Sequence, residues 1–251
     1  MKVLRLGNSN DFAGGLRKDE RASGIAERML AEASGEPVET NVRTIWPTPD
    51  LPDLLERWLD RYEPDLVFLS YSSYWFAYQS VPLKIERTFP FIGRHLRSAS
   101  NQATARPWLA RSRPYHLVRQ FSLRTIGGAT YFTTTEVIER MEACIRRVLA
   151  REHVALVVRG TFGGQERYRD LPARLQALHH ERRLEVHHAL KALCSDLHVV
   201  YVSREVRQNE AEVEAILGAD AFHWNAQGHQ IRGEVEGAAM VQAWQALAAT
   251  V

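Results

Sequence analysis

Hydrophobic and polar positions follow two periods along this chain, and each period predicts one type of element. Residues 38–45 alternate between apolar and polar positions, which is typical of a half-buried strand. Short apolar runs of strand length stand at residues 3–6, 66–69, 154–158 and 198–202. Apolar residues at helical spacing follow at about 20–33, 51–62, 133–149, 171–195, 205–217 and 225–247. Five strands that alternate with helices predict one parallel sheet covered on both faces.

Residues 77–132, named here the basic segment, interrupt this pattern. They show no clean period and contain nine Lys or Arg residues against one acid, Glu86, with aromatic residues interleaved. An unstructured loop of that length is uncommon in a compact domain. We therefore predict an inserted, partly helical cap or lid after the third strand. A solvated basic surface over buried aromatic side chains explains the composition as well as a binding surface does.

The composition is that of an ordinary globular protein, with 45% hydrophobic and 25% charged residues and a net charge of +2. We expect a single domain over residues 1–251. The first strand begins at residue 3 without an apolar leader, and no apolar run is long enough to span a membrane. Cys144 and Cys194 could form a bridge, but two buried thiols in a reducing compartment fit better. We expect a cytoplasmic protein.

Candidate catalytic residues lie near the two ends of the chain. Ser9 follows the first strand in the turn Gly7-Asn8-Ser9-Asn10, and ligands bind at the carboxyl ends of strands in open α/β sheets. Near the other end stands Asp220-x-x-His223. Such a set can work as a triad, in which His223 takes the proton of Ser9 and Asp220 fixes the tautomer of His223. The alternative for Ser9 is an ordinary turn serine.

Together these stretches resemble the SGNH, or GDSL-like, hydrolases. That family has a G-D-S turn after the first strand, where this chain has Asn8 in place of Asp, and a late D-x-x-H before the last helix. The run Asp220-Ala-Phe-His-Trp-Asn-Ala-Gln-Gly-His229 matches the late block, including an Asn to cap the last helix. The resemblance implies a flavodoxin-like, three-layer α/β/α sandwich with a catalytic Ser9, His223 and Asp220. It places His229 in the last helix.

The resemblance is weakest at the oxyanion hole, where donors stabilise the developing alkoxide. The family supplies a glycine N–H after the second strand and an asparagine side chain after the third. This chain has neither residue at those positions. The remaining candidates are the backbone N–H of Trp46, the hydroxyls of Ser70, Ser72, Ser73 and Tyr74, and the side chains of Asn8 and Asn10.

The sequence thus predicts an SGNH-type esterase or acyl hydrolase acting on a small-molecule or carbohydrate acyl ester. A bound alcohol in place of water would make it an acyltransferase. The sequence does not distinguish hydrolysis from transfer. The alternative is a catalytically degenerate SGNH-like protein that binds a ligand through the basic segment. A lid that docks on anionic membranes ranks last, so we expect no membrane partner.

We also expect no nucleic-acid partner, no metal and no cofactor. The long helix predicted at 171–195 carries His179, His180, His187 and His188. His180 and His187 are a heptad apart, but no carboxylate or cysteine completes a metal site there. We interpret these histidines as a solvated or half-buried face. The oligomeric state stays open.

Overall fold

The structure is a computed structural model that describes residues 1–8, 11, 15–104, 112–160, 171–203, 216, 218 and 223–249. Its strands are β1 (Lys2–Gly7), β2 (Glu39–Thr44), β3 (Leu66–Ser70), β4 (Ala155–Arg159) and β5 (Val200–Val202). They form one sheet in the order β2-β1-β3-β4-β5, and every neighbouring pair is parallel. The predicted five-stranded parallel sheet is confirmed.

The helices of the described chain agree with the apolar periodicity where the sequence predicted them. They are α1 (Ala22–Ser34), α2 (Leu51–Tyr62), α3 (Val81–Thr88), α4 (Pro90–Thr104), α5 (Arg113–Thr125), α6 (Thr134–Leu149), α7 (Ala173–Asp196) and α8 (Ala226–Ala248). The basic segment therefore contains three helices, α3 to α5. Most of the helix predicted at 205–217 lies outside the described residues. Among the helices described, none combines the length and the apolar character needed to cross a bilayer.

Two hydrophobic cores, one on each face of the sheet, make the molecule a three-layer α/β/α sandwich. Because side chains alternate along a strand, neighbouring residues of β1 enter different cores. Leu4 and Leu6 pack with α2, α6 and α7, whereas Val3 packs with α1 and α8. Arg5 shares the face of Val3 and lies over the ring of Phe68, 4.3 Å from its centroid. A charged side chain is thus directed into the second core.

Residue types that begin helices stand before α2, α6 and α8. Thr133 and Glu136 form the capping box at the start of α6. The Asn225 side chain accepts the Gly228 N–H at 2.9 Å and so caps α8. Asp50 occupies the cap position of α2, but its side chain makes no capping hydrogen bond.

The four histidines of α7 differ in burial, whereas we interpreted them from the sequence as one solvated or half-buried face. His179 and His187 are buried, while His180 and His188 are exposed. His187 Nδ1 lies 3.0 Å from the Tyr201 hydroxyl, which in turn lies 2.7 Å from the Tyr71 hydroxyl. The two histidines of the heptad pair therefore differ in burial, with His187 buried and His180 exposed.

Candidate active site

The strand order places a crevice beside the end of β1. The chain continues from β1 to β2 on one side, while β3 lies on the other side, so the carboxyl ends of β1 and β3 form the topological switch point. Ligands of open α/β sheets bind at such a point. Asn8 follows β1 there, and Ser72 stands two residues beyond β3. Ser9 and Asn10 lie outside the described residues, directly after Asn8.

The turn that contains Ser9 is closed by the residues on either side of it. The Asp11 N–H donates to the Asn8 carbonyl at 2.9 Å. In return the Asn8 N–H donates to Asp11 Oδ2, also at 2.9 Å. A Cβ atom on Gly7 would overlap this carboxylate, which explains the glycine at the end of β1. The position of Asp11 therefore holds the backbone of Asn8, the residue directly before Ser9.

Asp11 belongs to a buried ion network of five side chains. These are Arg5 of β1, Asp11, Arg159 of β4, and Arg232 and Glu236 of α8, all at most 4% exposed. Asp11 Oδ1 accepts from Arg5 Nε at 2.9 Å and from Arg232 Nη2 at 2.8 Å. Glu236 Oε1 accepts from Arg232 Nε at 2.6 Å and from Arg159 Nη1 at 3.1 Å. Arg5 also donates to Glu236.

The charges in this network hold one another in their ionised forms. Burial alone would raise the pKa of Asp11, but Arg232, Arg5 and Arg159 hold that pKa far below its usual value. Burial and the neighbouring Arg232 lower the pKa of Arg159 to about 10. Three guanidinium groups face two carboxylates among the described residues. This excess of positive charge favours an anion near the end of β1.

The segment that carries His223 packs against the same buried ion network. His223 is half-buried and stands three residues before α8. The ring of the adjacent Trp224 lies 6.0 Å from the Arg232 guanidinium, which itself donates to Asp11. The His223 carbonyl accepts the Gly218 N–H at 2.7 Å. The buried ion network therefore includes Asp11, which stands two residues after Ser9, and contacts Trp224, which directly follows His223. Asp220 lies outside the described residues.

Aromatic rings that follow β2 and β3 line the same edge of the sheet. The ring centroid of Trp46 lies 6.2 Å from that of Tyr74 and 5.2 Å from that of Tyr131. The Tyr74 ring stacks on Tyr78 at 4.9 Å, and its hydroxyl lies 3.3 Å from that of Tyr131. Trp46 is 39% exposed, so this group of rings reaches the surface. The structure brings the rings of Trp46 and Tyr74 together.

The serines after β3 have different surroundings. The Ser70 hydroxyl donates to the Leu6 carbonyl at 2.8 Å and so ties β3 to β1. Ser72 Oγ accepts the Tyr74 N–H at 3.3 Å, and the Ser73 carbonyl accepts the Ala77 N–H at 2.8 Å. Ser72 and Ser73 are half-buried in this local turn. The Ser72 hydroxyl donates a hydrogen bond to no residue of the described chain, whereas Ser70 has a structural role.

The ion network and Tyr131 were missed by the sequence reasoning. One signal was available, because Arg5 stands inside the apolar run of the first strand, where a charge must find a partner. A second was the spacing of Arg232 and Glu236, one helical turn apart in the last helix. Nothing in the sequence linked these residues to Asp11. For Tyr131 no comparable signal exists.

Other reactive groups of the described chain do not converge on this edge. Cys144 and Cys194 are free and buried, and burial raises the pKa of both thiols to about 12. Thiols in that state are poor nucleophiles. Within the described ranges, no three His, Cys, Asp or Glu side chains are grouped so as to hold a metal ion.

Comparison with known proteins supports the fold through structure and not through sequence. No protein-family model matches the chain, and no curated protein matches it. A family 3 carbohydrate esterase from Clostridium thermocellum is similar, with a TM-score of 0.55, 12% identity, and coverage of 99% of this chain and 98% of that one. The carbohydrate acetylesterase Est24 from Sinorhizobium meliloti gives a TM-score of 0.52, 13% identity, and coverage of 100% and 99%.

A lipolytic protein of the G-D-S-L family from Desulfitobacterium hafniense is also similar. It gives a TM-score of 0.50 at 11% identity and covers 95% of this chain and 98% of that one. Because these likenesses extend over nearly the whole of each chain, the resemblance to SGNH/GDSL-like hydrolases is confirmed at the level of the fold.

Proposed function

We propose that this chain, which has the fold of the SGNH/GDSL hydrolases, is a serine esterase with Ser9, His223 and Asp220 as its catalytic residues. The observation that carries the proposal is the buried ion network, which joins the turn around Ser9 to the segment around His223. Asp11 closes that turn at 2.9 Å, and Arg232 contacts both Asp11 and Trp224. A nucleophile and its base need such a common support to stay within reach of each other.

The reaction follows from these roles. Ser9 Oγ attacks the ester carbonyl carbon while His223 takes the hydroxyl proton, and a tetrahedral intermediate forms. His223 then returns the proton to the leaving alcohol, and the acyl group remains on Ser9. Water, deprotonated by His223, releases the acid and restores the serine. Asp220 keeps the imidazole in the tautomer that can accept the proton of Ser9.

Several groups support the negative oxygen of the intermediate. The backbone N–H of Trp46 makes no hydrogen bond to any described residue, so it is available as a donor after β2. The hydroxyls of Tyr74, Ser72 or Ser73 replace the family's asparagine after β3. Asn8 and Asn10 flank the nucleophile and add side-chain donors. The net positive charge of the buried ion network also stabilises the negative oxygen of the intermediate.

The substrate is a small-molecule or carbohydrate acyl ester. Two of the similar structures are a carbohydrate esterase and a carbohydrate acetylesterase. The exposed ring of Trp46 and the half-buried rings of Tyr74 and Tyr131 offer flat surfaces that suit the apolar face of a sugar or an acyl chain. If a bound alcohol takes the place of water, the same acyl-enzyme gives transfer instead of hydrolysis.

The test is the mass of the intact protein after reaction with a fluorophosphonate, together with hydrolysis of acetyl esters. We expect one adduct on the wild type, none on Ser9→Ala, and an esterase rate at least about a thousandfold lower for that variant. The matched control is Ser203→Ala, which removes another serine that follows a strand and should keep the adduct. An unlabelled wild type would instead favour a ligand-binding protein that uses the basic segment.

A further inference from the structure

Exposed apolar side chains are concentrated on two helices of the basic segment. Phe89 and Phe91, at the start of α4, are 59% and 85% exposed. On α5, Val118 and Phe121 are 66% and 68% exposed. Most exposed large apolar residues of the described chain belong to this region, although the chain has two well-filled cores elsewhere. Exposed apolar surface on this scale marks an interaction site.

The exposed residues follow the helical period. On α5, Leu117, Val118 and Phe121 stand at positions i, i+1 and i+4 and therefore share one face, while Leu123 is buried against the molecule. On α4, Ile92 and Leu96 stand one turn apart, with 60% and 43% exposure. Both helices pack against α3. Each helix therefore presents a cluster of apolar side chains to solvent.

The charge of this region is strongly positive. The basic segment carries nine Lys or Arg residues and one acid, Glu86, which gives it a net charge of +8. Because the whole chain carries only +2, the rest of it is net acidic. Glu86 is itself paired with Arg97 at 3.0 Å. Arg94, Arg113 and Arg124 are exposed beside the apolar residues.

We propose that α4 and α5 form a docking surface for an anionic phospholipid membrane. Charge complementarity decides this choice of partner. Two copies that met through this face would bring like charges together, whereas acidic headgroups neutralise them. Phenylalanine side chains enter the boundary between headgroups and acyl chains, while arginines remain at the level of the phosphates. The placement of apolar side chains in solvent favours a membrane partner, which the sequence alone did not lead us to expect.

The test is sedimentation of the full chain with vesicles of phosphatidylcholine alone and of phosphatidylcholine with phosphatidylserine. We expect binding to the anionic vesicles and a marked loss of it at high salt. Phe91→Ser and Phe121→Ser should each weaken binding at least about tenfold, because each removes one inserted ring. The matched control is Leu184→Ser, at an apolar residue of α7 that is 38% exposed, which should bind as the wild type does.

A second pair of variants tests the charge without changing apolar surface. Arg94→Glu combined with Arg124→Glu should weaken binding about a hundredfold or more. Arg57→Glu, at an exposed position of α2, is its control and should have little effect.

Four results would overturn the proposal. The first three are equal binding to both kinds of vesicle, binding that survives the two Phe substitutions, and absence of binding. A fourth is a dimer in light scattering that Phe91→Ser converts to a monomer, because it would assign this surface to contact between copies. Circular dichroism of every variant verifies that the fold is intact, which we expect because the altered side chains are exposed.

Discussion

Arg5, Arg159 and Arg232 lie behind the end of β1 with at most 4% exposure, whereas Arg94, Arg113 and Arg124 of the basic segment stand in solvent. The buried arginines share two carboxylates, Asp11 and Glu236, and none of the latter three has an acidic partner in the described chain. The difference shows that the same residue type serves two purposes. Paired and buried, it fixes the geometry of the candidate site, and exposed beside apolar rings, it makes a surface for a partner.

The largest effect is expected from removing one buried charge. Glu236→Gln leaves Arg5, Arg159 and Arg232 with Asp11 as their acidic partner among the described residues, and we expect a loss of about 3–5 kcal/mol in the free energy of unfolding. The matched variant in the basic segment is Glu86→Gln, which breaks a partly exposed pair with Arg97 and should cost less than about 1 kcal/mol. Urea unfolding followed by circular dichroism measures both. Equal losses of unfolding free energy in the two variants would contradict the contrast between the buried ion network and the basic segment.

A smaller effect is expected from pH, through a histidine beside the buried network. Burial, together with Arg232, lowers the pKa of His229 to about 4. An unfolded histidine titrates near 6.5, so between about pH 6.5 and 4 the unfolded chain binds more protons, and stability falls as the pH falls. His229 should account for about 2 kcal/mol of the stability lost between pH 7 and 4.5.

The variant that isolates this contribution is His229→Asn, in which the amide oxygen can still accept the Ala22 N–H that His229 Nδ1 accepts at 3.1 Å. Its stability should depend less on pH than that of the wild type. His179, whose pKa burial lowers to about 3, adds a similar pH dependence to both proteins. His95→Asn, at an exposed position of α4, should reproduce the wild-type curve. If His229→Asn also reproduces the wild-type curve, His229 binds its proton over the same pH range in the folded chain as in the unfolded chain, which would contradict the prediction.

The smallest effect on stability is expected from removing a helix cap, and a comparison of two caps distinguishes a loss of stability from a loss of catalysis. Asn225→Ala and Ser80→Ala each remove a helix cap, of α8 and of α3, and each should cost about 1 kcal/mol in the free energy of unfolding. Asn225 stands two residues after His223, so its loss should also lower the esterase kcat roughly tenfold by misplacing the imidazole. Ser80→Ala should keep the kcat of the wild type. Equal kcat values for the two variants would contradict the assignment of His223 as the base.

The sequence alone determined the local structure. The apolar runs predicted all five strands, and the observed ends of β3 and β4 lie within one residue of the predicted ones. Asn225 caps α8, and Thr133 with Glu136 starts α6, as their residue types indicated. These features depend on neighbours in the chain, so the order of residues is sufficient to specify them.

The candidate site was determined only in part by the sequence. Ser9 and Asp220-x-x-His223 were recognised as motifs, and the resemblance predicts that they meet at one edge of the sheet, although Ser9 and Asp220 lie outside the described residues. The sequence did not link Trp46 with Tyr131, which are separated by 84 residues and have ring centroids 5.2 Å apart. Nor did it show which apolar residues of the basic segment remain in solvent, because exposure depends on how α4 and α5 pack against α3.

Only the tertiary structure decided how the charges pair. Arg5 and Glu236 are 231 residues apart, and they meet because β1 lies inside the sheet and α8 crosses the face that Arg5 enters. A one-residue shift in the register of β1 would direct Arg5 to the other core and leave Glu236 without this partner. The sequence by itself therefore determined the strands and the helices outside the basic segment, and it supplied the candidate motifs at Ser9 and Asp220-x-x-His223. The packing of distant elements decided which charges are buried and which remain on the surface, because a buried charge is stable only when packing supplies its partner.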